Sequence, residues 1–160
     1  MKIILAAAGR LKAGAERDLA SRYLERAQAA ARSAGLTGVD WREIEDSKAR
    51  RAEDRKEEEG AALLALAAKG ARIIALDERG KSIASEAFAA DIAAARDDGA
   101  PAYVLVIGGA DGLAPEVRAR AAMTVSFGAM TWPHQLVRIM ALEQVYRAIT
   151  ILTGHPYHRA

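Results

Sequence analysis

From Gln135 to Thr153 the chain contains neither glycine nor proline, and its apolar side chains cover almost every face of the helix that such a run predicts. Val137, Ile139, Met140, Leu142, Val145, Tyr146, Ile149 and Leu152 leave one narrow polar stripe of Glu143, Arg147 and Thr150, with Glu143 and Arg147 at i, i+4. A helix apolar nearly all round must be covered nearly all round. A small domain does that alone with difficulty, so the run demands deep burial or a second copy of the chain, with Ile149 on the candidate contact face. Pro133 lacks an N–H, suits the first turn of a helix and forces Trp132 into an extended conformation. Gly154 is placed to close the helix as a left-handed cap.

The chain of 160 residues, 51% hydrophobic and 28% charged, is expected to form one domain over 1–160 with a full core. The absence of cysteine excludes a disulfide framework, a thiol nucleophile and a cysteine zinc site, and no metal site is expected. The apolar start Met1–Gly9 is too short for a signal peptide, and no stretch reaches the roughly 20 apolar residues of a membrane span. A cytoplasmic location without membrane contact is the expectation. The net charge of +2 is unevenly placed: after residue 127, Arg138, Arg147 and Arg159 meet Glu143 alone, so the preceding residues balance. All three histidines also lie there. Localised basicity of this kind is compatible with an RNA phosphate partner, and equally with local ion pairs.

Strand and helix signals alternate along the chain. Lys2–Ala8 reads as a buried strand, Gly14–Ala34 as a helix stopped by Gly35, and Val39–Glu45 as a second strand. The mixed charges from Lys48 to Glu59 read as a solvated helix start, or as a mobile arm near a site. That helix is expected to continue through Ala61–Ala68 to Gly70. Arg72–Leu76 is a third strand leading into a charged turn, Asp77–Lys81, closed by Gly80. Ser85 with Glu86 opens a helix to about Asp98, and Tyr103–Ile107 is a central strand, apolar throughout. Pro115 starts a short helix, and Met123–Ser126 is a last strand. The expected architecture is α/β, a mainly parallel sheet flanked by helices.

Two nucleotide motifs fail. Gly9 and Gly14 have phosphate-loop spacing, but Ala15–Glu16 stands where Lys–Ser/Thr is required. Gly108–Gly109–Ala110–Asp111–Gly112 follows a strand directly, yet Ile107 stands where a dinucleotide fingerprint needs glycine. Paired glycines at a strand end still require a sharp turn or a close backbone approach.

Leu76–Asp77 with Gly80–Lys81, then Val106–Leu113, then Pro133–His134 with Leu136–Arg138, and finally His155–Pro156–Tyr157–His158–Arg159 occur in this order. Together they resemble the RlmH family of large-subunit (23S) ribosomal RNA pseudouridine N3-methyltransferases, small members of the SPOUT superfamily. The likeness spans the whole chain. Ala110–Asp111 departs from an expected Pro–Glu, and Trp132 from a common leucine. The resemblance implies a C-terminal trefoil knot, S-adenosyl-L-methionine as cofactor, a homodimer, and ribosomal RNA or the ribosome as partner. It places the cofactor on Leu76, Gly109, Gly128, Ala129, Met130, Thr131, Trp132 and Pro133.

Methylation at the N3 imide of pseudouridine requires loss of a proton and stabilisation of the anion. The candidates are His158, Arg159, Tyr157, Arg138 and His134, with helix capping an equal alternative for His134 and a structural role favoured for His155. A knotted module that binds ribosomal RNA or the cofactor without transferring a methyl group is the alternative function.

Overall fold

The computed structural model describes residues 1–159. Five strands and five helices alternate: β1 (Lys2–Ala8), α1 (Ala15–Ala31), β2 (Gly38–Ile44), α2 (Ala52–Ala65), β3 (Arg72–Lys81), α3 (Ser85–Asp97), β4 (Ala102–Ile107), α4 (Pro115–Arg120), β5 (Met123–Val125) and α5 (His134–Leu152). A short 3-10 turn, Arg32–Ala34, extends α1, and Gly35 at φ 72° ends it. The strands form one sheet in the order β2-β1-β4-β3-β5, with every pairing parallel.

Alternation along the central strands explains the layers. Ile3, Leu5 and Ala7 of β1 and Tyr103, Leu105 and Ile107 of β4 face one core, shared with α1, α3 and α5. Ile4, Ala6, Ala8, Val104 and Val106 face the other, covered by α2 and α4. A parallel strand buried on both sides must be apolar at every position, and β4 is.

Helix α5 packs against α1 and α3. Ile139, Ala141, Leu142, Val145, Ala148 and Ile149 are buried there, while Val137, Met140, Tyr146 and Leu152 remain half-buried. Ile149 is fully buried within one chain, so it is a core residue and not the contact-face residue expected from the sequence. Gly154 at φ 67° closes the helix as expected, with its N–H on Ile151 O at 3.2 Å.

Two of the boundaries that differ from the sequence reading have a clear physical cause. Helix α2 ends at Ala65, because Leu66 and Ala67 donate to Leu63 and Leu64 in tight three-residue turns that stop the ladder. Asp77–Lys81 is not a free charged turn: β3 continues to Lys81 past a register break, and Ser126 N–H donates to Lys81 O at 3.0 Å. Gly80 permits this crossing, since a Cβ there would stand 2.6 Å from the Val125 carbonyl carbon. Among the described residues no helix is long and apolar enough to cross a membrane.

Candidate active site

The carboxyl ends of β3, β4 and β5 surround a cavity of about 320 Å³. Such strand ends are where open parallel sheets hold ligands. Its apolar walls include Leu76, Ile107, Leu113 and Val125. The β4 strand turns away sharply at Gly108: Gly112 N–H donates to Gly109 O at 3.0 Å, and a Cβ on Gly108 would lie 2.6 Å from the Gly112 carbonyl. On the opposite rim the Ser126 hydroxyl donates to Gly128 O at 2.7 Å and accepts Gly128 N–H at 3.2 Å, which fixes the start of the loop to α5. Gly128 sits at φ 122°, a conformation that side chains disfavour. Beyond it Met130 is 73% exposed and Trp132 41%.

Six of the eight residues expected at a cofactor, Leu76, Gly109, Gly128, Met130, Thr131 and Trp132, line this one cavity. Ala129 belongs to the same loop without lining it. Pro133 instead borders a second cleft of about 710 Å³ between the β1–α1 loop, α2 and the start of α5. Gly109, Ala110, Asp111 and His134 border both spaces. Arg55 binds Asp111 through two nitrogens at 2.7 and 3.1 Å and holds that carboxyl below its ordinary pKa. The charged run before Glu59 is therefore tied to the site wall.

The candidate reactive groups separate. His134 lines the cavity as the first residue of α5, and α5 carries no side-chain capping bond at its start. Arg138 borders the second cleft but is 3% exposed. Its Nη1 donates to Glu43 Oε1 at 2.9 Å and its Nη2 to the Ala8 carbonyl, while burial pulls its pKa down against the opposing charge of Glu43.

The tail lies elsewhere in the chain. The Tyr157 hydroxyl donates to Glu143 at 3.0 Å, and its ring sits 4.7 Å from that of Tyr146 and beneath Arg147. Burial, with hydrogen bonds to Tyr23 and Glu143, raises the Tyr157 pKa. His158 Nε2 pairs with Glu86 Oε1 at 2.9 Å, and Arg159 is exposed. None of the three borders either space. His155 accepts Tyr157 N–H at 3.2 Å on Nδ1, a turn contact in keeping with a structural role.

Sequence reasoning missed Glu59 and Glu43. Glu59 is 6% exposed although it closes a run of charges. The available signal was Gly60 beside it, since a glycine inside a helix marks a close approach. A Cβ on Gly60 would stand 2.8 Å from Ala114 Cβ, so α2 and the start of α4 press together there, and the neighbouring Glu59 lies against Gly109.

The family described as "Predicted SPOUT methyltransferase" matches residues 1–158. The chain belongs to the SPOUT methyltransferase family. A relative of this SPOUT chain in Xanthobacter autotrophicus, named ribosomal RNA large subunit methyltransferase H, is 60% identical over 160 residues, covering 100% of both chains. Another of that name in Beijerinckia indica subsp. indica is 56% identical, again over 100% of both. Among solved structures, a probable methyltransferase from Bordetella pertussis Tohama I superposes with a TM-score of 0.50 at 13% identity, covering 92% of this chain and 95% of that one. That likeness supports the fold alone.

Proposed function

We propose that this SPOUT protein transfers a methyl group from S-adenosyl-L-methionine to N3 of a pseudouridine in large-subunit ribosomal RNA, working in the cytoplasm as a homodimer. The observation that carries the reading is the full-length identity of 60% to a protein named as a large-subunit rRNA methyltransferase. The cavity at the strand ends agrees with it.

The residues present suit the cofactor. The cavity volume lies within the usual range for small-molecule sites, roughly 300–1,000 Å³. Leu76, Ile107 and Val125 offer apolar walls to an adenine, and the backbone at Gly109 and Gly128 lies beside them without a side chain in the way. Glu78, on the same wall, brings negative charge towards a cationic sulfonium. When bound, the cofactor supplies an electrophilic methyl carbon. The chain must then align the imide nitrogen in line with the methyl, accept its proton and stabilise the developing charge. Transfer would form the N3–C bond as the methyl–sulfur bond breaks, with the sulfur keeping that bond's electrons and the N3 proton passing to a base of the protein. His134 is the titratable ring on the cavity wall. His158, Arg159 and Tyr157 would reach this site from the partner subunit, because within one chain Tyr157 is held against α5, His158 against α3, and none of the three lines the cavity.

Exposed Met130, Trp132 and Leu136, with the half-buried side of α5, form an apolar surface beside the cavity that a second copy would cover. The close passage of Thr124 and Val125 against Gly80 supports the reading that the C-terminal segment threads through a loop as a knot.

The test is incubation of ribosomes and of free ribosomal RNA, both from a strain lacking the activity, with methyl-labelled cofactor. Label in large-subunit RNA is expected. Cofactor binding by calorimetry without any transfer establishes the non-catalytic binding module instead.

A further inference from the structure

The cleft beside the cofactor cavity contains a polar atom that the fold leaves unpaired. Glu59 Oε1 accepts Ser47 N–H at 3.0 Å, whereas Glu59 Oε2 is buried and has no hydrogen-bond partner among the described residues. A Cβ built on Gly109 would stand 2.6 Å from that oxygen, so the carboxyl group rests against the backbone turn that also walls the cofactor cavity. Arg55, one turn earlier on α2, is engaged by Asp111 and by the carbonyls of Ala49 and Arg50. A buried acceptor without a donor is costly and uncommon, and in a cleft it points to a donor brought by a ligand.

The chemistry of the base says which donor. In pseudouridine the sugar is attached through C5, so the far edge of the ring presents N1–H, O2 and N3–H. Uridine entering with its sugar in the same place presents C5–H, O4 and N3–H. The two overlay group for group except that a C–H replaces the N1–H. A pocket that distinguishes them through this edge needs an acceptor for N1–H, separate from the group that handles N3.

We propose that Glu59 is the specificity determinant for pseudouridine, its Oε2 accepting N1–H of the base while N3 faces the cofactor cavity across Gly109. This rests on the methyltransferase reading above. The terminal torsion of a glutamate is soft, so the oxygen can turn to meet a base that enters the cleft. Uridine would leave the buried oxygen unpaired, the situation in which polar pockets reject an analogue most strongly. Glu59 acts on the choice of base, with proton removal from N3 left to the groups named above.

The experiment compares single-turnover methylation of ribosomes that carry pseudouridine or uridine at the target position. The enzymes are the natural protein, Glu59→Gln and Glu59→Ala. Losing a hydrogen bond to a charged acceptor predicts that Glu59→Ala lowers the preference for pseudouridine about 10- to 100-fold. Glu59→Gln, which keeps the shape and one acceptor oxygen, lowers it less. Calorimetric affinity for S-adenosyl-L-methionine within about twofold of the natural protein identifies the variants that are folded. A folded variant that retains the full preference overturns the proposal, as does a natural enzyme that methylates both ribosomes equally. A natural enzyme that methylates neither overturns the methyltransferase reading itself.

Discussion

Arg138 Nη1 donates to Glu43 Oε1 at 2.9 Å, joining the second turn of α5 to the end of β2 across 95 residues of sequence. The pair is nearly dry, with side-chain exposures of 4% and 13%. The same arginine donates to the Ala8 carbonyl at the end of β1, so one guanidinium fixes α5 against two strands. Truncating one member of a buried pair leaves the other charge uncompensated. Arg138→Ala is expected to lower the unfolding free energy by about 3 kcal/mol, measured by urea denaturation. Full stability with lost turnover assigns Arg138 to the chemistry instead.

Gly80 and Gly109 are expected to fail in different ways. At Gly80 an added Cβ meets main-chain carbons of Val125 and Thr124 at 2.6 and 2.7 Å, and main chain in a sheet cannot step aside. Gly80→Ala is expected to cost about 3 kcal/mol of stability. At Gly109 the added atom meets the end of the Glu59 side chain, which can move. Gly109→Ala is expected to keep most of the stability while weakening cofactor binding at least about tenfold, or about 1.4 kcal/mol. Denaturation and calorimetry on the two variants separate these outcomes, and an unfolded Gly109→Ala contradicts the assignment.

The sheet was legible because parallel strands buried on both faces leave unbroken apolar runs, of which Tyr103–Ile107 is the clearest. The resemblance placed the cofactor partly on the loop that starts at Gly128, and the structure brings Leu76, Gly109, Gly128 and Thr131 of that expected set to one cavity. Partners across the fold were not legible. Glu43 and Glu59 look like surface carboxylates in the sequence, because what they rest against, Arg138 of α5 and the turn at Gly109, comes from distant parts of the chain. Ile149 illustrates the reverse error, since an apolar girdle does not reveal which of its sides α1 and α3 already cover.

Asp91 gives the pH dependence a specific source. Burial raises its pKa, but hydrogen bonds from Arg72 at 2.9 Å and Tyr103 at 2.8 Å outweigh that and leave it below the ordinary value. A carboxyl depressed in the folded state stabilises the fold above its unfolded pKa, near 3.9. That contribution is lost as pH falls through the lower folded value. Asp91→Asn is expected to be less stable at pH 7 and to lose less stability on acidification from about pH 5 to pH 2. Parallel acid curves for the two proteins contradict this.

The tail supplies a division of labour. Tyr157 is held by Glu143 and Tyr146, so deleting Tyr157–Ala160 is expected to cost about 1–2 kcal/mol as well as activity. Arg159→Ala is the cleaner variant, because Arg159 is exposed. It is expected to leave cofactor affinity unchanged and to reduce methylation by about 10²–10³. His158→Ala is expected to change mainly the pH profile of turnover. Full activity of Arg159→Ala removes Arg159 from the site, and full activity of the truncated protein removes the whole tail and leaves His134 as the leading group.

Methyl transfer to N3 of a pseudouridine is tested most directly by digesting large-subunit RNA, after reaction with labelled cofactor, to nucleosides and identifying the modified one by mass spectrometry. A single labelled product, 3-methylpseudouridine, is expected, forming with the natural protein and absent when cofactor is omitted. Label on a ribose oxygen, on an unmodified uridine, or on no nucleoside at all contradicts it.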